Sequence, residues 1–335
     1  MVLVTGGTGL VGSHLLLQLV QKDTPIKAIY RQGSNLQRVV TIFSYYVNNP
    51  QELFDKIKWV HADLLDVPAL EIAFLNVEYV YHAAAFISFN PKDYSLLKKM
   101  NVTGTANIVN LCITNSIKKL AYVSTIGTIG KSYPNELATE ENEWKENHVN
   151  VYALTKYKAE LEVWRASQEN VPVVIINPGV IVGPGFWGSG SGALFTTAKK
   201  GHSYYPPGGT GFVSVADVTQ ILIGLMVSET ENERFITVSD NLSFKEILSL
   251  IVPKLGKKSP KTELKFWQLQ IGRYGDWLLN VLTKKGRRIT KNSINSLKHR
   301  EFYSSEKIKN TLPMEFSDLE KTINHCCSIF LKENP

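Results

Sequence analysis

Val2-Leu3-Val4-Thr5-Gly6-Gly7-Thr8-Gly9-Leu10-Val11-Gly12 opens the chain and decides how the rest is read. Val2–Val4 is a short apolar run that suits a buried strand, and Leu15, Leu16, Leu19 and Val20 recur at helical spacing from Leu10 to Lys22. Between them stand three glycines three residues apart. Gly6 permits a tight turn, Gly9 lets the backbone approach a pyrophosphate, and Gly12 lets helix and sheet pack closely. A helix that begins here offers free N–H groups and the positive end of its dipole to phosphate. The pattern therefore predicts a dinucleotide site that includes Gly6, Thr8, Gly9, Leu10, Val11 and Gly12.

Outward from that turn, strands and helices alternate. Strands are expected at Ile26–Tyr30, Lys58–His61, Glu78–His82, Leu120–Ser124 and Val173–Asn177. Between them fall an amphipathic helix from Leu36 to Val47, a short helix capped by Asp66 with Pro68 in its first turn, and long helices over Pro91–Asn115 and Asn150–Glu169. Such alternation argues an α/β fold, a doubly wound parallel sheet of the Rossmann kind with helices on both faces. After Gly183 the pattern loosens. Glycines and aromatics crowd Gly183–Gly211, and helices are expected at Ala216–Val227, Phe244–Leu255, Leu264–Leu282, Ile289–Lys298 and Asp318–Leu331. The expected division is a nucleotide-binding domain over residues 1–183, to which 213–240 return. A smaller, mostly helical C-terminal substrate lobe would be built from 184–212 and 241–335.

The second strand selects the cofactor. An enzyme for NAD usually carries an acid about 20 residues after the glycines, bonded to the ribose 2′-OH. No acid occurs between Thr24 and Gln51; Arg31 stands at the strand end with Ser34 behind it and Arg38 further on. A guanidinium can hold a 2′-phosphate bidentately and Ser34 can add a hydroxyl, so NADP is expected ahead of NAD.

Tyr152 and Lys156 lie one helical turn apart on one face. A phenol with a reference pKa of about 10 is a poor acid–base catalyst at neutral pH, and a nearby ammonium favours its phenolate. The same lysine can hold the nicotinamide ribose. Upstream, Ser124-Thr125 closes the fifth strand and puts a hydroxyl at the sheet edge beside the cofactor.

Composition bounds the class. The 335 residues are 44% hydrophobic and 20% charged, ordinary globular values that exclude a disordered chain. The three cysteines, Cys112, Cys326 and Cys327, suit neither a disulfide scaffold nor a zinc site, so no metal is expected. With no leader-like start and no long apolar run, a cytoplasmic enzyme is expected. The net charge of +7 is concentrated in Lys254–Lys309, where fifteen Lys or Arg face four acids. No nucleic-acid module accompanies them. A basic amphipathic stretch over Leu264–Lys291 could touch a membrane surface, but a solvated cap over the substrate is the favoured reading.

These motifs together resemble the extended short-chain dehydrogenase/reductases, the NAD-dependent epimerase/dehydratase family. The likeness covers about Met1–Val227. It implies that Asp63-Leu64 contacts adenine, that His82-Ala83-Ala84 lines the cofactor, and that Pro178-Gly179-Val180 passes the nicotinamide. It implies Tyr152 as acid/base, Lys156 as its tuner and ribose clamp, and a Ser or Thr as carbonyl partner: Thr125, with Ser124 as the alternative. Family dehydratases carry Thr-Asp-Glu at this strand end, whereas here Ile126 and Gly127 follow Thr125. Epimerases need cations for a diphosphate in the second lobe. Between Pro184 and Ser214 aromatics dominate instead: Phe186, Trp187, Phe195, Tyr204, Tyr205 and Phe212. The expected activity is hydride transfer between NADP(H) and the carbonyl or secondary alcohol of an apolar or aromatic substrate, similar to dihydroflavonol reductases and 3β-hydroxysteroid dehydrogenases. A nucleotide-sugar epimerase is the alternative. The resemblance also suggests a homodimer.

Overall fold

The computed structural model describes residues 1–133, 136–146, 149–269, 271 and 297–335. Seven parallel strands form the central sheet: β1 (Val2–Thr5), β2 (Ile26–Tyr30), β3 (Lys58–His61), β4 (Tyr79–His82), β5 (Lys119–Val123), β6 (Val173–Pro178) and, after three short strands, β10 (Glu233–Thr237). Their order is β10-β6-β5-β4-β1-β2-β3. The chain leaves β1 toward β2 on one side and later fills β4 on the other, so β1 and β4 flank the switch point of the sheet.

The strands are apolar on both faces because both faces are covered. On one face Val4, Ala121, Val174 and Ile176 pack with Leu15, Leu16 and Leu19 of helix Leu10–Val20 and with Val218, Ile221 and Leu222 of helix Val215–Val227. On the other, Leu3, Val80, Leu120, Val173 and Ile175 pack with Leu70, Phe74, Ile108, Ala159 and Val163. The alternation along Val173–Ile176 thus feeds two cores from one strand, and truncating one of these side chains to Ala would cost about 2–5 kcal/mol.

Two buried lysines interrupt the apolar strands. Lys119 on β5 donates to the carbonyls of Leu225 (3.0 Å) and Ser228 (2.7 Å), at the end of helix Val215–Val227. Lys27 on β2 donates to those of Ala73 (3.3 Å) and Leu75 at the end of helix Val67–Phe74. Each ammonium satisfies open carbonyls at the negative end of a helix dipole, which offsets its burial.

The expected helix over Pro91–Asn115 is divided. A short 3₁₀ turn and helix Tyr94–Leu97 lead into a π-helical segment, Lys98–Thr103, before helix Gly104–Thr114. The wider turn carries Asn101 inward, where it is buried.

The second lobe contains strands as well as helices. A three-stranded sheet joins β7 (Val180–Val182), β9 (Gly209–Ser214) and β11 (Asp240–Ser243), and a two-stranded one joins β8 (Tyr204–Tyr205) to β12 (Thr262–Glu263). Helix Phe244–Ile251 and helix Leu319–Glu333 pack over them through Ile247, Ile251, Ile323, Cys326 and Phe330. Buried Asp217 accepts from the Ser317 hydroxyl (2.6 Å) and N–H, tying the C-terminal segment to helix Val215–Val227. The helices expected at Leu264–Leu282 and Ile289–Lys298, and with them the basic amphipathic stretch, lie largely outside the described residues. Among the described residues no helix is long and apolar enough to cross a membrane.

Candidate active site

The turn after β1 is built around glycine. Gly6 has φ +71°, and a Cβ there would lie 2.6 Å from the Ala84 nitrogen; at Gly12 a Cβ would lie 2.1 Å from the Gly6 carbonyl oxygen. A side chain at either position would fill the cradle. Gly9 donates to the Gly6 carbonyl at 2.9 Å, and no side chain caps helix Leu10–Val20. Its first turn holds no acid, so the open N–H groups and positive dipole end suit the pyrophosphate of a dinucleotide.

Past β2, Arg31–Ser34 forms a turn with Gly33 at φ +81°. The Ser34 N–H donates to the Arg31 carbonyl (3.0 Å), and the Arg31 N–H donates to the Ser34 hydroxyl (3.2 Å). The Arg31 side chain is exposed. Arg38, on the next helix, lies 5.1 Å over the Phe186 ring. After β3, the Asp63 carboxylate accepts from the Leu65 N–H (2.9 Å), and Asn107 holds the Leu64 carbonyl (2.8 Å). Pro178 ends β6. The Gly179 N–H donates to Thr237 (3.1 Å), and Val180 pairs with Phe212 in the second sheet.

Helix Val151–Gln168 starts at Asn150, whose side chain accepts from the Ala153 N–H. Lys156 is buried, and its ammonium donates to the Tyr122 hydroxyl (2.6 Å) and the Val123 carbonyl (2.8 Å). Burial lowers its pKa to about 7 against the opposing pull of Glu160. The Tyr152 ring stands edge-on to Phe89 at 5.7 Å, and among the described residues its hydroxyl has no hydrogen-bond partner. Its pKa corrects the expectation of an easily ionised phenol. Burial pushes it up to about 12, while the Lys156 ammonium points at Tyr122 and Val123. The phenol is therefore protonated at neutral pH.

Ser124 and Thr125 have different surroundings. Ser124 is buried, and its hydroxyl donates to the Glu160 carboxylate at 2.6 Å. The same carboxylate oxygen accepts from Thr128 (2.8 Å) and Asn177 (3.1 Å), while Arg234 approaches the other oxygen at 3.4 Å. The Thr125 hydroxyl accepts from the Gly127 N–H at 3.2 Å and keeps its own proton to give. Of the two, Thr125 has the available donor.

Two other expectations are corrected. The His82 ring is 0% exposed, with both nitrogens bound to hydroxyls, at 2.6 Å to Thr5 and 2.9 Å to Thr105. It is packed inside rather than lining a cofactor; the backbone of Ala83 and Ala84 packs against Gly6 instead. The aromatics after Pro184 are mostly spent on packing. Phe195 and Phe212 lie in the core of the second lobe, Tyr205 is buried, and Trp187 sits on Phe195 and Phe330. Phe186 covers Arg38, and only Tyr204 is broadly exposed. Apolar surface near Tyr152 comes from elsewhere: Ile87 and Phe89 are both about half exposed. Asn101 pins this loop by accepting from the Phe86 N–H (2.7 Å) and donating to its carbonyl (3.0 Å).

The sequence reading assigned no site role to Asn101, Tyr122, Thr105, Glu160 or Arg234. Glu160 alone left a signal, since it lies one turn beyond Lys156 on the same helix face.

A Rossmann sheet with this glycine cradle, and with tyrosine and lysine on one helix facing a strand-end hydroxyl, defines an NAD(P)-dependent oxidoreductase of the extended short-chain dehydrogenase/reductase class. The chain belongs to the NAD-binding family described as male sterility protein, whose sequence profile matches residues 4–203. It is 28% identical to a putative dihydroflavonol 4-reductase of Synechocystis over 277 residues, covering 79% of this chain and 75% of that one. It is 26% identical to anthocyanidin reductase of Arabidopsis thaliana over 286 residues, covering 78% and 82%. Its fold matches UDP-glucose 4-epimerase of Thermotoga maritima with a TM-score of 0.77 at 19% identity, covering 100% and 99% of the two chains.

Proposed function

We propose that the protein is an NADP-dependent reductase that converts a carbonyl of an apolar or aromatic small molecule into a secondary alcohol. The observation that carries this reading is the Tyr152 hydroxyl, protonated at neutral pH and without a partner among the described residues. A group in that state is ready to give a proton to the oxygen of a carbonyl being reduced. The bound dinucleotide supplies the hydride. Gly6, Thr8, Gly9, Leu10, Val11 and Gly12 would hold its phosphates. Arg31 and Ser34 would hold the 2′-phosphate, Asp63 and Leu64 the adenine, and Pro178, Gly179 and Val180 the nicotinamide side.

Thr125 donates to the substrate oxygen and offsets its growing charge. Tyr152 delivers the proton. Lys156 clamps the ribose through an N–H not used by Tyr122 and Val123. Ile87 and Phe89, held out by the Asn101 clamp, give the substrate its apolar wall. In this reading residues 1–183 with 213–240 bind nucleotide, and 184–212 with 241–335 enclose the substrate.

Tyr152→Phe tests the reading. It should lower turnover by about 10²–10⁴-fold, the usual worth of a positioned acid, and leave NADPH affinity nearly intact. Near-normal turnover would remove Tyr152 from the chemistry.

A further inference from the structure

The Lys156 ammonium heads a buried row of hydrogen bonds. It donates to the Tyr122 hydroxyl at 2.6 Å, and Tyr122 is hydrogen-bonded in turn to the Thr105 side chain. The Thr105 hydroxyl meets His82 Nε2 at 2.9 Å, and His82 Nδ1 meets the Thr5 hydroxyl at 2.6 Å. Thr5 also accepts from the Ala84 N–H at 3.3 Å. No member is more than 1% exposed. The row crosses from the helix bearing Tyr152, through β5, helix Gly104–Thr114 and β4, to the last residue of β1, beside Gly6.

Counting hydrogens gives the row a direction. An ammonium has three N–H groups and no lone pair, so Tyr122 must accept from it and send its own hydrogen to Thr105. Thr105 has one hydrogen, and it then goes to His82 Nε2, which must be the bare nitrogen. His82 Nδ1 carries the ring hydrogen and donates to Thr5. The ring has only one N–H because burial, helped by the Lys156 charge, holds its pKa down to about 3. Once Lys156 is a neutral amine, its lone pair can accept from Tyr122 and every link can reverse. Thr5 then donates to Nδ1, Nε2–H to Thr105, Thr105 to Tyr122, and Tyr122 to Lys156. Between the two states Lys156 loses one proton to solvent, and each other group keeps a single hydrogen on its opposite side.

We propose that Tyr122, Thr105, His82 and Thr5 are a positioning row for Lys156, in which the tautomer of His82 follows the charge on Lys156 and carries it to the hydroxyl beside the glycine turn. The proposal rests on the reading that Lys156 works in the site. Other groups act on the same titration. Glu160 favours the ammonium and is itself approached by Arg234 at 3.4 Å. The Tyr122 ring lies 5.4 Å from that of His82, and Tyr152 is close enough to Tyr122 to raise its pKa. His82 is thus a positioning residue that orients a lysine two hydroxyls away.

The test is nitrogen NMR of the full-length protein labelled with ¹⁵N-histidine, followed from about pH 5.5 to about pH 9, a range that spans neutrality. The His82 signals are assigned by their loss in His82→Gln. At the acidic end His82 should be protonated on Nδ1, and the Nε2–H form should grow as Lys156 loses its proton at about 7. In Lys156→Met that pH response should vanish. An Nε2–H ring at low pH, a tautomer that never changes, or a response that survives in Lys156→Met would overturn the proposal.

Thr105→Val keeps the side chain's size and cuts the row. It should lower kcat by about 5- to 10-fold, the worth of one buried hydrogen bond, with KM for NADPH unchanged and the pH profile displaced. Thr105→Ser should restore both; wild-type kcat and pH profile in Thr105→Val would refute the positioning role. Tyr152→Phe keeps the row. If it retained turnover while His82 still followed Lys156, the proposed reaction would fail and the row would stand.

Discussion

Alanine at Ser124 and at Thr125 should give opposite signatures, although the two residues are adjacent. The Ser124 hydroxyl sits 2.6 Å from the Glu160 carboxylate, in a cluster shared with Thr128 and Asn177. Losing a donor to a buried charge costs about 1.5–3 kcal/mol. At about 2.1 cal/mol/K per residue, a chain of 335 residues unfolds with an entropy of about 0.7 kcal/mol/K, so Ser124→Ala should lower Tm by about 2–4 °C. Its kcat should stay within about tenfold of wild type, because a misplaced neighbour costs no more than one hydrogen bond. Thr125→Ala loses the cap on Ile126–Thr128, worth about 1 kcal/mol, and so about 1–2 °C. Its kcat should fall by about 10²–10³-fold, as for an oxyanion donor, and Thr125→Ser should restore it. NADPH oxidation followed at the nicotinamide absorbance, beside thermal melts, reads both quantities. If Ser124→Ala lost the activity and Thr125→Ala kept it, the hydroxyl assignment would be wrong.

Arg31→Asp should weaken NADPH by about 10- to 100-fold, the loss of charge-assisted bonds to a 2′-phosphate, and spare or improve NADH. Titrations in which both cofactors shift by one factor would remove Arg31 as the selector. Stability should also fall in acid. Burial lowers the pKa of His14 to about 4 and that of His82 to about 3, both below the unfolded value near 6.5. Their contribution is complete above that value and is lost as pH falls below it, by about 1.4 kcal/mol per pH unit for each ring. Denaturant melts at several pH values between about 7 and 4.5 check this, and a flat profile would show that these rings are not buried neutral.

The glycine turn, the strand–helix alternation and the Tyr152/Lys156 pair were legible because each is local: fixed spacings within a few residues carry them. What escaped depends on distant neighbours. Strands β7, β8 and β11 are two to four residues long, too short for a periodic signal, and β9 is rich in glycine. Lys27 and Lys119 break their strands' apolar pattern to cap helices 46 and more residues away. Ser124 and Thr125 carry the same chemistry in sequence, and only Glu160, 36 residues on, separates them. Phe195 and Phe212 read equally well as pocket or core until Ile247, Ile323 and Phe330 close around them. The phenol was expected to feel Lys156 from helical spacing, but Tyr122 and Val123 draw the ammonium away.

Direct hydride transfer to a substrate carbonyl is tested most plainly with NADPH deuterated at the nicotinamide C4. With a carbonyl substrate that the protein consumes, mass spectrometry should find one deuterium on the new carbinol carbon for each NADPH oxidised. A product that is only epimerised, with no net loss of NADPH and no deuterium on that carbon, would contradict the reductase.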